Sequence, residues 1–230
     1  HTSHATACLA VVLIWLAAGV LVLARGRILP GRKHHSAPTT RILDTLADRD
    51  IRRTLVTSSL AQMGTDVFQF YLPIHGHAIG LSATAIGAVI ATFAIASFVV
   101  RVVLTRLVAR FGEENLLAYS FYLGGAAFAL VPFCGSAAPL ALVSFIFGLG
   151  MGCGQPITLM LMFSHSPQGR SGETLGLRLT ANNVMRVLAP AIFGSVGSAF
   201  GLFAVFWINA LVMGAGGVMA LPQQNARGGS

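Results

Sequence analysis

The chain reads as an all-α polytopic membrane protein, and three observations predict it. Of its 230 residues 55% are hydrophobic and only 10% charged, with a mean hydropathy of +0.76, whereas a soluble domain carries about 25% charged residues. The apolar residues gather into seven runs, 5–24, 54–74, 82–104, 115–133, 139–163, 174–197 and 202–221, each near or above the ~20 residues a spanning helix needs. None shows the short alternating segments of a barrel, so backbone groups in hydrocarbon must be bonded within helices. The net charge of +8 comes from basic residues lying largely between the runs, a topology signal rather than a phosphate-binding face, which argues against nucleic acid as a partner.

The first run, 5–24, is uncharged and is followed rather than preceded by Arg25, Arg27, Arg32 and Lys33. A signal peptide has the reverse order, so 5–24 is expected to be a real span of a chain whose beginning is missing. Residues 25–53 form a basic linker, in which 40–50 alternates Ile42, Leu43, Leu46 and Ala47 against Arg41, Asp44, Asp48 and Arg49. That pattern predicts a short amphipathic surface helix with Thr40 as its N-cap. A six-helix bundle over 54–221 and a tail over 222–230 complete the division. Arginines follow the third run (Arg106, Arg110), the fifth (Arg170) and the last (Arg227), while 75–81, 134–138 and 198–201 hold no Lys or Arg. The positive-inside rule then puts the N-terminus outside and the C-terminus in the cytoplasm, in a cell (plasma or inner) membrane.

Within the bundle, Arg101 is close enough to the interface to snorkel, and Gly112 stops the third helix. Gly148/Gly152 and Gly150/Gly154 are overlapping small-xxx-small pairs, followed by a Gln155-Pro156 step that permits a bend. The sixth run opens with Ser171 as N-cap candidate and Glu173 near the positive helix end; Pro190 is expected to kink it. The last run, with Trp207 and no charge, reads as peripheral packing. Cys8, Cys134 and Cys153 have no metal-ligand spacing. His75 and His77 lack a third ligand and are expected at the solvent-exposed outer end. No metal or cofactor is implied, and the absence of a nucleophile–base arrangement argues against an enzyme.

Two polar faces break the apolar pattern. Arg178, Asn182 and Arg186 stand at i, i+4, i+8 in the sixth run, and Ser59, Gln62, Asp66 and Gln69 share one face of the second. A charge near the bilayer centre costs at least ~2.5–3.5 kcal/mol, so these groups need partners, a wet cavity or a short reach to the headgroups. Arg178 is about 10 Å into its helix and within snorkelling reach; Arg186 is about 22 Å in, and Asp66 about 20 Å beyond Arg53. Asp66 and Arg186 therefore share a depth. A lone buried acid becomes neutral, while a nearby arginine holds it ionised, so the pair is either a fixed structural bridge or a proton- or substrate-sensitive switch.

Several segments resemble the C-terminal half of a major facilitator superfamily transporter. The basic linker ahead of six runs is similar to that family's central loop, making 5–24 its sixth helix and 54–221 its helices seven to twelve. T-R-L-V-A-R-F-G-E-E at 105–114 resembles the loop motif G-x-x-x-D-R-x-G-R-R: Arg110 and Gly112 match, Ala109 stands in place of the acid, and Glu113 and Glu114 replace the basic pair. Leu72-Pro73 followed by G-L-S-x-x-x-I-G at 80–87, and G-L-R-L-T-A-N-N at 176–183, also resemble the family. The resemblance implies a secondary transporter of a small organic solute or drug, working by alternating access around a midplane cavity. It further implies proton coupling through Asp66 with Arg186 as partner, and Gln62, Gln69, Gln155, Arg178 and Asn182 around the solute. Arg101, Arg106, Arg110 and Gly112 would form the gating loop, and a missing N-terminal six-helix half would complete the cavity. The competing expectations are a non-transporting assembly or binding subunit of the membrane, or an inactive half-transporter.

Overall fold

The computed structural model describes residues 16, 17, 19, 20, 46–167 and 169–222. The chain divides into two compact units, His1–Pro38 and Thr39–Ser230. In the first, residues 16, 17, 19 and 20 are helical; the expected span 5–24 otherwise lies outside the described residues, as do residues 40–45 and 223–230. All other described residues belong to the second unit.

These form helices and no strand: α1 Arg49–Ala78, α2 Ala83–Phe111, α3 Glu113–Leu130 with a 3₁₀ turn Val131–Phe133, α4 Ala137–Met151, α5 Gly154–His165 and α6 Ser171–Ala220. The second predicted run begins earlier than expected. Asp48 has extended backbone (φ −63°, ψ 123°), and its carboxylate accepts from the amides of Asp50 at 2.8 Å and Ile51 at 3.3 Å. Asp48 is thus the N-cap of α1, and the amphipathic helix expected over 40–50 cannot run past Ala47. α2 is capped by Ser82, whose hydroxyl accepts from the Ala85 amide at 3.2 Å, and extends to Phe111, so Arg106 and Arg110 sit in its last turns rather than in a loop. Gly112, at φ +78°, is the turn, a conformation that suits a residue without Cβ.

The expected 139–163 helix is broken at Gly152 and Cys153, ahead of the Gln155-Pro156 step. Proline has no N–H to give the carbonyl four residues back, so the Gly152 carbonyl is the one set free. α6 holds both of the last two runs. Gly201 (φ +81°, ψ 172°) divides it into arms 171–200 and 202–220, and Pro190 is carried within the first without leaving helical dihedrals. Arg170, not Ser171, occupies the cap position; no side chain caps this end, and the Arg170 guanidinium instead forms a two-point bridge to Glu173 at 3.0 and 2.8 Å.

Among the described residues four helical stretches are long and apolar enough to cross a membrane: Ala83–Phe111, Glu113–Phe133, Ala137–His165 and Ser171–Ala220. The last has the length of two spans. α1 is also long enough at 30 residues, but Thr54, Thr57, Ser58, Ser59, Gln62, Thr65 and Asp66 make it too polar to qualify by composition.

α1 and α3 pack on α6, and α2 and α3 pack on α4. At the centre Phe68 of α1 stacks on Phe147 of α4, ring centroids 3.9 Å apart, with Phe128 of α3 edge-on to Phe68 at 5.6 Å. The 202–220 arm is not peripheral: Phe206, Asn209 and Met213 are fully buried, and both polar atoms of Asn209 lack a hydrogen-bond partner. His75 is likewise buried, not solvent-exposed, with its Nε2 3.2 Å from the Cys134 carbonyl; His77 is exposed.

The glycine pairs set the helix spacing. A Cβ on Gly148 would come within 2.6 Å of the Phe93 carbonyl oxygen, and one on Gly152 within 2.6 Å of Ser97 Cα, so this face of α4 lies directly on the α2 backbone. Gly148→Ala is expected to destabilise the protein by about 1–3 kcal/mol, seen as a lower thermal midpoint in detergent. Gly87→Ala, where nothing lies within 4 Å, serves as the comparison and should be neutral or slightly stabilising.

Candidate functional site

One run of hydrogen bonds crosses the bundle through α6, α5 and α1. Arg178 is 5% exposed; its Nη2 donates to Gln155 Oε1 at 2.7 Å, to Thr158 Oγ1 at 2.9 Å and to the Gln155 carbonyl at 3.3 Å. Gln155 Nε2 donates to Gln62 Oε1 at 2.6 Å, and Gln62 Nε2 to Asp66 Oδ1 at 2.8 Å. The other carboxylate oxygen, Oδ2, accepts from Arg186 Nε at 3.3 Å. Helical periodicity explains the alignment: Gln62 and Asp66 are one turn apart on α1, Gln155 and Thr158 on α5. The bend before Pro156 carries Gln155 at the start of α5, against α1, where a Cβ on Gly154 would come 3.6 Å from Ala61 Cβ.

The run has a direction. A guanidinium can only donate and a carboxylate can only accept, so each amide between them turns its carbonyl toward Arg178 and its NH₂ toward Asp66. The two glutamines thereby transmit the polarity of one charge to the other.

The structure brings Asp66 and Arg186 into a salt bridge, with side-chain exposures of 22% and 59%. Arg178 does not snorkel; it is buried against Gln155 and Thr158, and its Nε has no partner. Asn182 faces α1, its Oδ1 accepting from Ser58 at 3.3 Å and Ser59 at 3.4 Å. Gln69 is exposed and stands outside the run. Arg101 also stands outside it; its Nε donates to the Gly152 carbonyl at 3.1 Å, the acceptor left open by Pro156. Arg106 and Arg110 are exposed at the end of α2, Arg110 lying 5.5 Å from the Phe111 ring centroid. Sequence reasoning missed Thr158 and Ser58. Thr158, three residues beyond Gln155, could have been found as its helical neighbour; Ser58 faces Asn182 only because of how α1 is rotated.

Among the described residues no grouping of three or more His, Cys, Asp or Glu could hold a metal ion. Cys134 and Cys153 are free and buried.

The two arginines of the sixth run differ sharply in burial, and their substitutions should differ accordingly. Arg178→Ala strands the half-buried Gln155 and buried Thr158 acceptors and should cost about 2–4 kcal/mol of stability. Arg186→Ala removes a half-exposed bridge and should cost less than about 1 kcal/mol. Thermal unfolding of the purified variants in detergent ranks them.

A family model, Major Facilitator Superfamily, matches residues 5–190 and also 54–228. No curated protein matches the chain. An all-helical multi-pass fold and a family match over nearly the full length agree with one another: the chain belongs to the Major Facilitator Superfamily, a family of membrane transporters.

Proposed function

We propose that the chain carries a small organic solute by alternating access and couples that movement to protons through Asp66. The supporting observation is the Asp66–Arg186 bridge at 3.3 Å between α1 and the 171–200 arm. Protonating Asp66 cancels the charge that holds Arg186, so the attraction between these two helices rises and falls with the proton. Asn182, held by the Ser58 and Ser59 hydroxyls, is a neutral contact between the same helices and does not depend on charge. The Gln62 and Gln155 amides extend the influence of Asp66 toward Arg178, where the solute would be felt. Arg106, Arg110 and Gly112, at the α2–α3 turn, and Arg101, further back along α2, are assigned to gating on the family resemblance.

Alternating access requires a second six-helix half. Arg186 is 59% exposed in this bundle, and lipid does not tolerate a guanidinium there; the opposing half would close a wet cavity over it. The arrangement of basic residues orients the described C-terminal end toward the cytoplasm of a cell membrane.

A second reading has one observation in its favour. The 171–200 arm exposes Val184, Val187 and Leu188 beside Thr180 and Asn183, a surface on which a non-transporting assembly subunit would dock its partner. Co-purification of a partner membrane protein without solute flux would select it.

In proteoliposomes with an imposed pH gradient, Asp66→Asn should abolish gradient-driven solute accumulation while leaving exchange of solute across the membrane without a gradient. Full coupling in that variant would reject the role given to Asp66.

A further inference from the structure

We propose that the solute is an organic anion, and that its charged head is held between Arg101 and Arg178. The inference rests on the transporter reading and names the substrate class. An open cavity of about 400 Å³ lies between α2, α5 and α6, lined by Arg101, Leu104, Gln155, Pro156, Leu159 and Arg178. That size suits a small molecule. Two of its six lining residues are cationic, one is an amide, and none is acidic.

The charge balance of the interior has the same sign. Asp66 is the only acidic residue between 51 and 112, and none occurs in 115–172 or 174–230. It already faces Arg186. Arg101 and Arg178 are therefore left with neutral acceptors: the Gly152 carbonyl for the first, Gln155 and Thr158 for the second. Arg178 is nineteen-twentieths buried, at 5% exposure, and its Nε has no partner. A buried guanidinium with no carboxylate bridged to it among the described residues attracts an anion, because desolvation raises the value of every charge-assisted bond it can make. Arg101 engages Gly152 through its Nε, and no carboxylate among the described residues bridges to it. α5 begins at Gly154 beside the cavity, so the positive end of its dipole adds to the field.

The apolar part of the wall, Leu104, Pro156 and Leu159, suits the body of the solute. The chemistry described is that of an amphiphilic carboxylate, sulfonate or phosphate: a planar or tetrahedral anionic head in reach of two guanidinium groups, and a hydrocarbon or aromatic remainder against leucine and proline.

The test measures binding of 2-naphthoate, 2-naphthalenesulfonate and 2-naphthyl phosphate to the full chain in phosphatidylcholine nanodiscs, against the neutral analogue 2-naphthylmethanol. At least one anion should bind about tenfold or more tightly than the alcohol. Arg101→Gln, which removes the charge from an exposed side chain, should erase most of that preference in protein whose thermal midpoint shows it folded, and Arg178→Lys should weaken it. No preference for any of the three anions, or a preference unchanged in Arg101→Gln, overturns the proposal. Phosphatidylglycerol that stays bound to the purified wild-type chain and is lost in Arg101→Gln would identify a lipid headgroup as the occupant and would overturn it as well. Proton-driven flux lost in Asp66→Asn but without anion preference sinks this inference and leaves the transporter reading standing.

Discussion

Hydrocarbon offers nothing to bond to, and every polar group that enters it must bring or find its partner inside the protein. The bundle meets this constraint by sharing. No carboxylate among the described residues bridges to Arg178; Gln155 and Thr158 accept from it, and Gln155 in turn leans on Gln62 and Asp66. Even a defect in the backbone is covered from outside: the carbonyl released by Pro156 is taken by a guanidinium from another helix. The Arg101 bond is possible because α4 and α2 lie close, and they lie close because Gly148 and Gly152 put no side chain between them.

The fold was largely legible because its signals are long. Twenty-residue apolar runs and the glycines and prolines between them predicted helices at 82–104, 115–133 and 174–197, and the structure has helices over all three. Boundaries were less legible. The start of α1 turned on whether Asp48 would continue an amphipathic pattern or cap the next helix, and a cap competes locally with helix propensity in a way composition does not reveal. The position of the α4–α5 break could have been read from Pro156 by counting back to the carbonyl it deprives rather than stopping at the proline itself.

Within the site, periodicity placed Gln62 with Asp66 and Arg178 with Asn182 and Arg186, because residues one turn apart share a face. It could not say which neighbours those faces meet. Gln69 fits the same spacing as Gln62 and Asp66, yet it is exposed while they are bonded. Arg178 sits near enough to the helix start to reach water, and turns inward instead because two acceptors wait there. The burial of His75 and of the 202–220 arm is hidden in the sequence for the same reason: an uncharged or terminal position looks peripheral until the helices around it are packed.

Inside an ordinary helix, donor and acceptor belong to one rod and move together, so the bond resists bending equally at every turn. At the Gly152 carbonyl the donor is Arg101, rooted in α2. Stiffness at the α4–α5 elbow is thus supplied by a neighbouring rod and is withdrawn whenever that rod slides or its guanidinium turns to another acceptor. The elbow behaves like a latch whose catch is mounted on the opposite frame.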